Sequence, residues 1–369
     1  MTNRSVRVCH FSSKHSLGDA RVFWKECRSL AAAGYEVIYV GIGESDECEG
    51  VRRVGLDAPM SRSDRLFAVR QRAYEAARDM DADIYHFHDP DLLPFGRRLK
   101  RAGKKVIFDS HELFVEQFQV RDYIPKIARR ALAGIYGWYE RGVCAELDAV
   151  IFPTTVHGQH PFSACAQRAV TVDNLSLLPE KEIDPPDSSA DKVCYIGSLT
   201  PDRGVDVLVE ACHKVGVGLI LCGRISSSYL ESLRQRKAFE TVDFRGEIPY
   251  GEIGAVMGEC FAGAATLLRQ GQWNSVDNLP TKVYDYMLHY LPVLVNDAPR
   301  TSQFVDRWQC GLAVDTASSD AVARAVEWLA SHSSEARAMG ARGHEVVMHH
   351  VNWKSEERKL LELYDSLCS

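Results

Sequence analysis

Two carboxylates, Asp277 and Asp285, stand eight positions apart around Asn278-Leu279-Pro280-Thr281-Lys282-Val283-Tyr284. Pro280 and the polar residues before it read as a tight loop, and 281–289 reads as a helix. Proline is tolerated in that first turn because no helical donor is needed there. Asp277 then lies on the loop and Asp285 on the second helical turn. The exposed backbone N–H groups at the helix start form an anion site. Carboxylates that accept from hydroxyls, flanking a phosphate-binding helix start, suit a ligand carrying both sugar and phosphate.

Further stretches carry compatible chemistry. Ile196-Gly197-Ser198-Leu199-Thr200-Pro201-Asp202-Arg203-Gly204 reads as strand, turn and helix start. Gly197 lets backbone approach a ligand and Arg203 adds a fixed charge, together a cradle for a diphosphate. Leu221-Cys222-Gly223-Arg224 repeats the strand-to-glycine step, with Arg224 facing the same place or only solvent. After the first strand come His15-Ser16-Leu17-Gly18-Asp19-Ala20-Arg21. Gly18 leaves room for phosphate, and Asp19 is a good N-cap. Arg21 sits in a first turn, where the helix dipole disfavours a cation, so it is expected to hold an anion or a carboxylate. His86-Phe87-His88-Asp89-Pro90-Asp91 and Phe108-Asp109-Ser110-His111-Glu112 end two strands. Histidine and aspartate are common metal ligands, but no H-E-x-x-H spacing or cysteine partner is present. A polar wall at the sheet edge is the reading carried forward, with Asp91 and Asp109 also able simply to tie strand ends.

These groups need a scaffold. Strands are expected at 6–11, 36–40, 83–87, 105–108 and 149–152, with helices near 20–33, 64–79, 91–102 and 123–143. A polar, proline-rich linker covers 179–189, and strands resume at 193–196, 219–222, 242–244, 262–266 and 292–295. Such alternation indicates parallel sheets with helices on both faces. The fold class is therefore α/β: two tandem Rossmann-like doubly wound domains, whose ligands bind in an interdomain cleft at the carboxyl ends of the strands. Residues 1–175 form the first domain and 190–350 the second. A last helix, about 352–369, is expected to return to the first domain.

A chain of 369 residues suits two cores rather than one. No apolar run reaches the length of a membrane span, the first residues lack a secretory apolar region, and the eleven cysteines form no C-x-x-C pair. A cytoplasmic location is expected. The net charge is −6, but residues 1–172 carry +3 and the rest −9. Between Arg97 and Arg141 there are 11 basic and 5 acidic residues. That excess suggests an anionic partner such as a lipid surface, and hence peripheral attachment at the inner face of the membrane. Within 121–141, Lys126, Arg129 and Arg130 mix with Ile124, Leu132, Ile135, Trp138 and Tyr139. This is either an interfacial helix or a surface helix with a core-facing stripe. Nucleic acid is not an expected partner, since the chain is acidic and no recognised module appears. A nicotinamide dehydrogenase is disfavoured because no strand runs into G-x-G-x-x-G.

Taken together, Gly18-Asp19-Ala20-Arg21, His86-Phe87-His88-Asp89-Pro90, Asp109-Ser110-His111-Glu112, Tyr195-Ile196-Gly197 with Arg203-Gly204, and Asn278-Leu279-Pro280-Thr281-Lys282 running to Asp285 resemble the retaining family-4 glycosyltransferases of the GT-B fold. The last run looks like that family's E-x7-E element with both glutamates shortened to aspartate. The resemblance implies that Asp285 grips the nucleotide ribose and Asp277 the donor sugar. It implies that Arg203 takes the place of the family's usual lysine beside the diphosphate, and that His111 reaches donor sugar or acceptor. Gly18, Gly197, Ser198, Arg224, Asn278, Leu279 and Lys282 complete the donor side, with Arg21, His88, Asp89 and Glu112 on the acceptor side. Ser198 stands where many members have arginine, leaving Lys282 or Arg224 to compensate. The implied activity is transfer of a hexosyl or N-acetylhexosaminyl unit from a nucleotide-diphosphate sugar, expected to be a UDP-sugar. The acceptor is a glycan or lipid-linked intermediate of surface polysaccharide synthesis, and no cofactor or metal is expected. A sugar-nucleotide 2-epimerase and a non-catalytic partner subunit are the alternatives on the same fold.

Overall fold

The computed structural model describes residues 5–61, 64–116, 125–269 and 276–368. The chain divides into two compact units. One comprises Met1–Asn174, Ser275–Asp277 and Trp353–Ser369, and the other Leu175–Asn274 and Asn278–Asn352.

In the first unit the strands are β1 (Arg7–Ser16), β2 (Glu36–Ile42), β3 (Asp46–Cys48), β4 (Val51–Leu56), β5 (Ile84–Phe87), β6 (Lys105–Asp109), β7 (Ala149–Phe152) and β8 (Ala169–Thr171). Among the described residues they form one sheet in the order β3-β4-β2-β1-β5-β6-β7-β8. Only the β3–β4 pair is antiparallel. The central strands are buried on both faces, as a parallel sheet covered by helices requires. Chain direction reverses between β1 and β5, and the carboxyl ends of strands beside such a switch are where ligands of open α/β sheets bind. The helix following β1 begins as a wide π-type stretch, Val22–Cys27, before α-helical Arg28–Ala32. Its i→i+5 winding is visible in the Glu26 N–H donating to the Arg21 carbonyl at 3.0 Å. Arg21 and Glu26 therefore project along one line. The last helix, Trp353–Cys368, packs on this unit through Trp353, Leu360 and Tyr364, and the Trp353 indole donates to Ser29 Oγ at 2.9 Å.

The second unit carries β9 (Lys192–Ile196), β10 (Gly218–Cys222), β11 (Val242–Gly246), β12 (Cys260–Ala265), β13 (Val293–Asn296) and β14 (Gly311–Val314). Their order is β11-β10-β9-β12-β13-β14, with every pair parallel. This is the Rossmann order 3-2-1-4-5-6, with its switch between β9 and β12. The proline-rich stretch expected to be a linker belongs to this unit, which begins at Leu175 rather than 190. Ile183 packs on its core, and Pro185 and Pro186 line a cavity with Tyr290 and Leu291. The helix Thr281–Leu288 is tied down by Tyr286, whose hydroxyl accepts from Ile196 N at 2.8 Å and donates to the Ala264 carbonyl at 3.2 Å. A Cβ on Gly263 would lie 2.2 Å from that ring, so the strand can bear no side chain where the tyrosine seats.

One buried carboxyl makes the first unit pH-sensitive. Glu140, in the helix Lys126–Cys144, is 5% exposed and accepts from Tyr136 Oη at 3.1 Å. Burial raises its pKa to about 7, outweighing the Tyr136 hydrogen bond and the Arg141 charge. A carboxyl whose folded pKa lies above its unfolded one favours folding while protonated, and that contribution fades as pH climbs from the usual glutamate value to about 7. Glu140→Gln should therefore raise stability at pH 8 by about 3 kcal/mol and leave pH 4 unchanged. Urea unfolding at both pH values checks this, and equal shifts at the two would refute it.

Candidate functional site

In the second unit, two glycine turns lie against each other at the carboxyl edge of the sheet. Gly197 (φ +127°) follows β9 and Gly223 (φ +139°) follows β10. A Cβ on Gly223 would stand 1.9 Å from the Gly197 carbonyl oxygen, so the second turn admits only glycine. Ile196, Gly197, Ser198, Gly223, Arg224 and Glu247 line a pocket of about 310 Å³ there. Arg224 is largely exposed and pairs with Glu247 at 3.3 Å. Ser198 is exposed on the same turn.

The Lys282 ammonium lies behind Gly197, on the first turn of Thr281–Leu288. A Cβ on Gly197 would be 3.1 Å from Nζ, and Nζ sits 3.4 Å over the Tyr195 ring. The lysine stem is partly exposed, but Nζ is out of contact with solvent and has no hydrogen-bond partner. Desolvation, and next the Arg203 charge, hold its pKa well below the usual lysine range. A desolvated ammonium beside a second cation has the electrostatics of an unfilled anion site. Arg203 ends the turn preceding Gly204 (φ +63°), which opens the helix Val205–Lys214. Two helix N-termini therefore add their dipoles to the two side-chain charges.

Asp285, on the same helix as Lys282, accepts from Ser176 Oγ at 2.6 Å. Asn278 is partly exposed on the loop before it. Leu279 departs from its expected donor-side role. Its side chain is 5% exposed and packs in the apolar core, which leaves only its backbone for a ligand. Asp277 groups with the first unit. Its Oδ2 accepts from Thr155 Oγ1 and from Gly158 N, both at 2.6 Å, and its N–H donates to the Thr155 carbonyl at 2.9 Å.

The first unit presents a different polar cluster, at the ends of β1, β5 and β6. Arg21 is 4% exposed and grips Asp109 bidentately, Nε to Oδ2 at 2.8 Å and Nη2 to Oδ1 at 3.1 Å. It also donates to the Val172 carbonyl at 3.0 Å. Burial opposes the Asp109 charge, but the guanidinium overrides it and holds the carboxyl well below the usual range. Arg21 does hold a carboxylate, but it is a buried positioning residue rather than an acceptor-side contact. His88 and Asp89, expected on the acceptor side, are likewise buried. Asp89 accepts from Ser12 Oγ at 2.6 Å and Ser13 N at 2.8 Å and faces Lys14 at 3.6 Å. His88 lies between His10 and Asp109, and burial lowers its pKa to about 4. Both side chains are thereby enclosed by partners from β1 and β6 and the loops after them.

His111 and Glu112 keep an open aspect. His111 is partly exposed, with Nε2 2.9 Å from Asp109 Oδ2 and its ring against His15. Nε2 is thereby placed to donate to a charged carboxylate. Glu112 is exposed. Gly18 is exposed, and a Cβ there would meet nothing, so this unit does not itself require glycine at that position. Asp19 caps as expected, accepting from the N–H groups of Arg21 and Val22 at 2.9 Å, and pairs with His15 at 2.9 Å.

Lys14, His15, His10, Glu26 and Tyr364 join this cluster without having been singled out from the sequence. Glu26 carried a signal: it sits four residues after Val22 and four before Leu30, inside an apolar stripe.

A separate surface lies on the helix Lys126–Cys144. Ile127, Ile135 and Trp138 are 93%, 66% and 75% exposed and share one helical face, with Arg130 beside them. Of the basic segment 97–141, residues 117–124, with Arg121 and Ile124, lie outside the described residues, as does the Lys126 side chain.

Comparison with known proteins matches both halves of the chain. Residues 18–162 match the family described as Glycosyltransferase Family 4, and 180–346 match Glycosyl transferases group 1. A curated relative from Mycobacterium tuberculosis, GDP-mannose-dependent alpha-(1-6)-phosphatidylinositol monomannoside mannosyltransferase, is 28% identical over 179 residues. That match covers 46% of this chain and 46% of the relative, so it spans about half of either protein. Among solved structures, sucrose-phosphate synthase from Thermosynechococcus elongatus aligns with a TM-score of 0.79 at 17% identity, over 99% of each chain. HepE of Anabaena, solved with UDP and glucose, aligns with a TM-score of 0.71 at 12% identity, over 98% of this chain and 100% of its own. Both structures share the two-domain Rossmann-like GT-B fold.

The Arg21–Asp109 pair gives a stability prediction. Arg21→Leu leaves Asp109 and the neighbouring Glu26 as buried carboxyls without their cation, and breaking a buried pair from one side costs about 3–5 kcal/mol. Denaturant unfolding should register that loss. A change under about 1 kcal/mol would mean the pair does not hold the cluster together.

Proposed function

The chain belongs to the GT-B glycosyltransferases of the family-4 type, and from that premise we propose that it is a retaining transferase using a UDP-sugar. The observation carrying this reading is the Lys282 ammonium, desolvated and without a hydrogen-bond partner behind the Gly197 turn and next to Arg203. A nucleotide diphosphate supplies the missing counter-charge. The glycine turns let its phosphates approach the backbone, and the starts of Val205–Lys214 and Thr281–Leu288 direct N–H groups at them. Asp285 takes the ribose hydroxyls in exchange for its bond to Ser176. Asp277, shorter by one methylene than the glutamate usual in this family, takes sugar hydroxyls. His111 and Glu112 receive the acceptor.

In the reaction, the bond from the anomeric carbon to the diphosphate oxygen breaks as negative charge builds on the leaving group. Arg203, Lys282 and the helix dipoles stabilise that charge without reorganising, which is where such sites gain most of their rate. The acceptor oxygen bonds to the same face of the sugar, and its proton passes to the departing phosphate oxygen. No enzymic nucleophile and no metal at the diphosphate enter this scheme.

The base is the point on which the named proteins differ, GDP-mannose for the mycobacterial relative and UDP-glucose for HepE. UDP is retained here. Stabilisation of the protein by GDP-mannose but not by UDP-sugars would overturn that choice while leaving the diphosphate site standing. The acceptor is assigned to a lipid-linked or surface glycan. In support, Ile127, Ile135 and Trp138 form an exposed apolar strip beside basic residues, the composition of an interfacial helix. Among the described residues no helix is long and apolar enough to cross a membrane.

Three predictions test these assignments. Lys282→Met and Arg203→Ala should each lower kcat by about 10²–10³ with the fold intact by circular dichroism, since each removes one preorganised charge. The product should keep the anomeric configuration of the donor by NMR, and donor incubated alone should stay unchanged. Unchanged turnover in both variants would remove the phosphate assignment, an inverted product the retaining one, and epimerisation without acceptor the transferase. Trp138→Asp should reduce flotation with anionic vesicles about tenfold or more, leaving transfer to a soluble acceptor unaffected. Equal flotation of the two proteins would reject the membrane face.

A further inference from the structure

Beneath the His111 edge of the first unit lies a second constellation that the transfer scheme does not use. His10 in β1 and His86 in β5 are register partners across the sheet, and His88 follows β5. Glu26 comes from the π-type stretch packed over them. All four side chains are buried, and their candidate ligand atoms lie within 4.8 Å of one another.

A purely hydrogen-bonded reading covers part of this set. His10 Nδ1 and His88 Nε2 are 3.0 Å apart, and Tyr364 Oη bridges His10 Nε2 at 3.1 Å and His86 Nδ1 at 2.8 Å. That chain of contacts stops at His86. His86 Nε2 and both oxygens of Glu26 have no hydrogen-bond partner, although Arg21 Nε comes within 3.1 Å of Glu26 Oε1 while bonded to Asp109. Glu26 Oε2 and His86 Nε2 thus remain as two unsatisfied polar atoms at one buried spot, which costs about 1–3 kcal/mol each. They converge: Glu26 Oε2 is 3.9 Å from His10 Nδ1 and 4.0 Å from His86 Nε2.

We propose that His10 Nδ1, Glu26 Oε2, His86 Nε2 and His88 Nε2 bind a divalent transition-metal ion of the zinc class in a closed, water-free site. Four nitrogen and oxygen ligands about 2.0–2.1 Å from a tetrahedral ion stand roughly 3.3 Å from each other. The separations of 3.0, 3.9 and 4.0 Å bracket that value. The remaining ring nitrogens already have the partners that orient metal-bound imidazoles. His88 Nδ1 faces Asp109 Oδ2 at 3.4 Å, and His10 and His86 each present theirs to Tyr364. A closed ligand set with no open position suits a structural ion, one that fastens the Tyr364 helix and the two strands under Asp109. It is separate from the diphosphate, where no metal is invoked.

Metal content of the full chain tests this directly. Protein grown with added Zn2+ and dialysed should retain about one ion per chain by elemental analysis. Co2+ introduced in its place should show the intense visible bands of tetrahedral coordination. Glu26→Gln and His86→Gln should each lose most of the ion, while His111→Ala keeps it, which separates this site from the neighbouring His88–Asp109–His111 group. Removing the ion with a strong chelator should lower the thermal midpoint, and Zn2+ should restore it. Wild-type protein holding less than about a tenth of an equivalent, with no thermal response to Zn2+, would overturn the site. So would full zinc retention in folded Glu26→Gln and His86→Gln.

Discussion

A charge removed from water needs a counter-charge: at Arg21 the chain supplies one within itself, and at Lys282 no hydrogen-bonding partner is in place. In the first unit the Arg21 guanidinium is buried and fully engaged by Asp109 and the Val172 carbonyl. That pair fixes the end of β6, gives His111 Nε2 a carboxylate to donate to and ties in the chain leaving β8. In the second unit the Lys282 ammonium is equally desolvated but bonded to nothing. The first arrangement builds a framework, whereas the second creates a demand for an anion.

The two outcomes rest on similar backbones. Both sheets reverse direction beside their first strand, and both put turns and helix starts at the carboxyl edge next to that switch. What differs is the side chains placed there. The first unit supplies serines, histidines and aspartates that bond to one another, with His111 partly exposed and Glu112 exposed. The second supplies glycines and cations that cannot satisfy one another. Under the proposed function, the first edge receives a hydroxyl-bearing acceptor and the second the leaving diphosphate.

Much of this was legible in the sequence, because parallel strands buried on both faces appear as continuous apolar runs. The runs around Val8, Ile38, Ile107 and Leu221 all became strands. Strands β3, β4, β8 and β14 escaped notice: β3, β8 and β14 are short edge strands of three or four residues, and β4 has Arg52 and Arg53 interrupting its apolar run. Chemistry was legible where glycine or proline marked a turn, as at Gly197 and Pro280. It was illegible in depth. Nothing local distinguishes His88 and Asp89, both buried, from His111, which faces out. Leu279 belonged to the site by position but to the core by side chain. Glu26 lay inside an apolar stripe, where a charged residue signals a buried network, yet the π-type winding that aligns it with Arg21 is set by packing.

The central claim is that Lys282 awaits a diphosphate, and its proton balance tests this most directly. An amine whose pKa is depressed by desolvation recovers its proton when a dianion settles beside it. Calorimetry of UDP binding, run near pH 8.5 to 9.5 in buffers of different ionisation enthalpy, reads that uptake; the nucleotide's phosphates are already ionised there. The account predicts uptake of a substantial fraction of one proton by the wild-type chain, absent in Lys282→Met. Binding heats independent of buffer across that range, or uptake that persists in Lys282→Met, would contradict it.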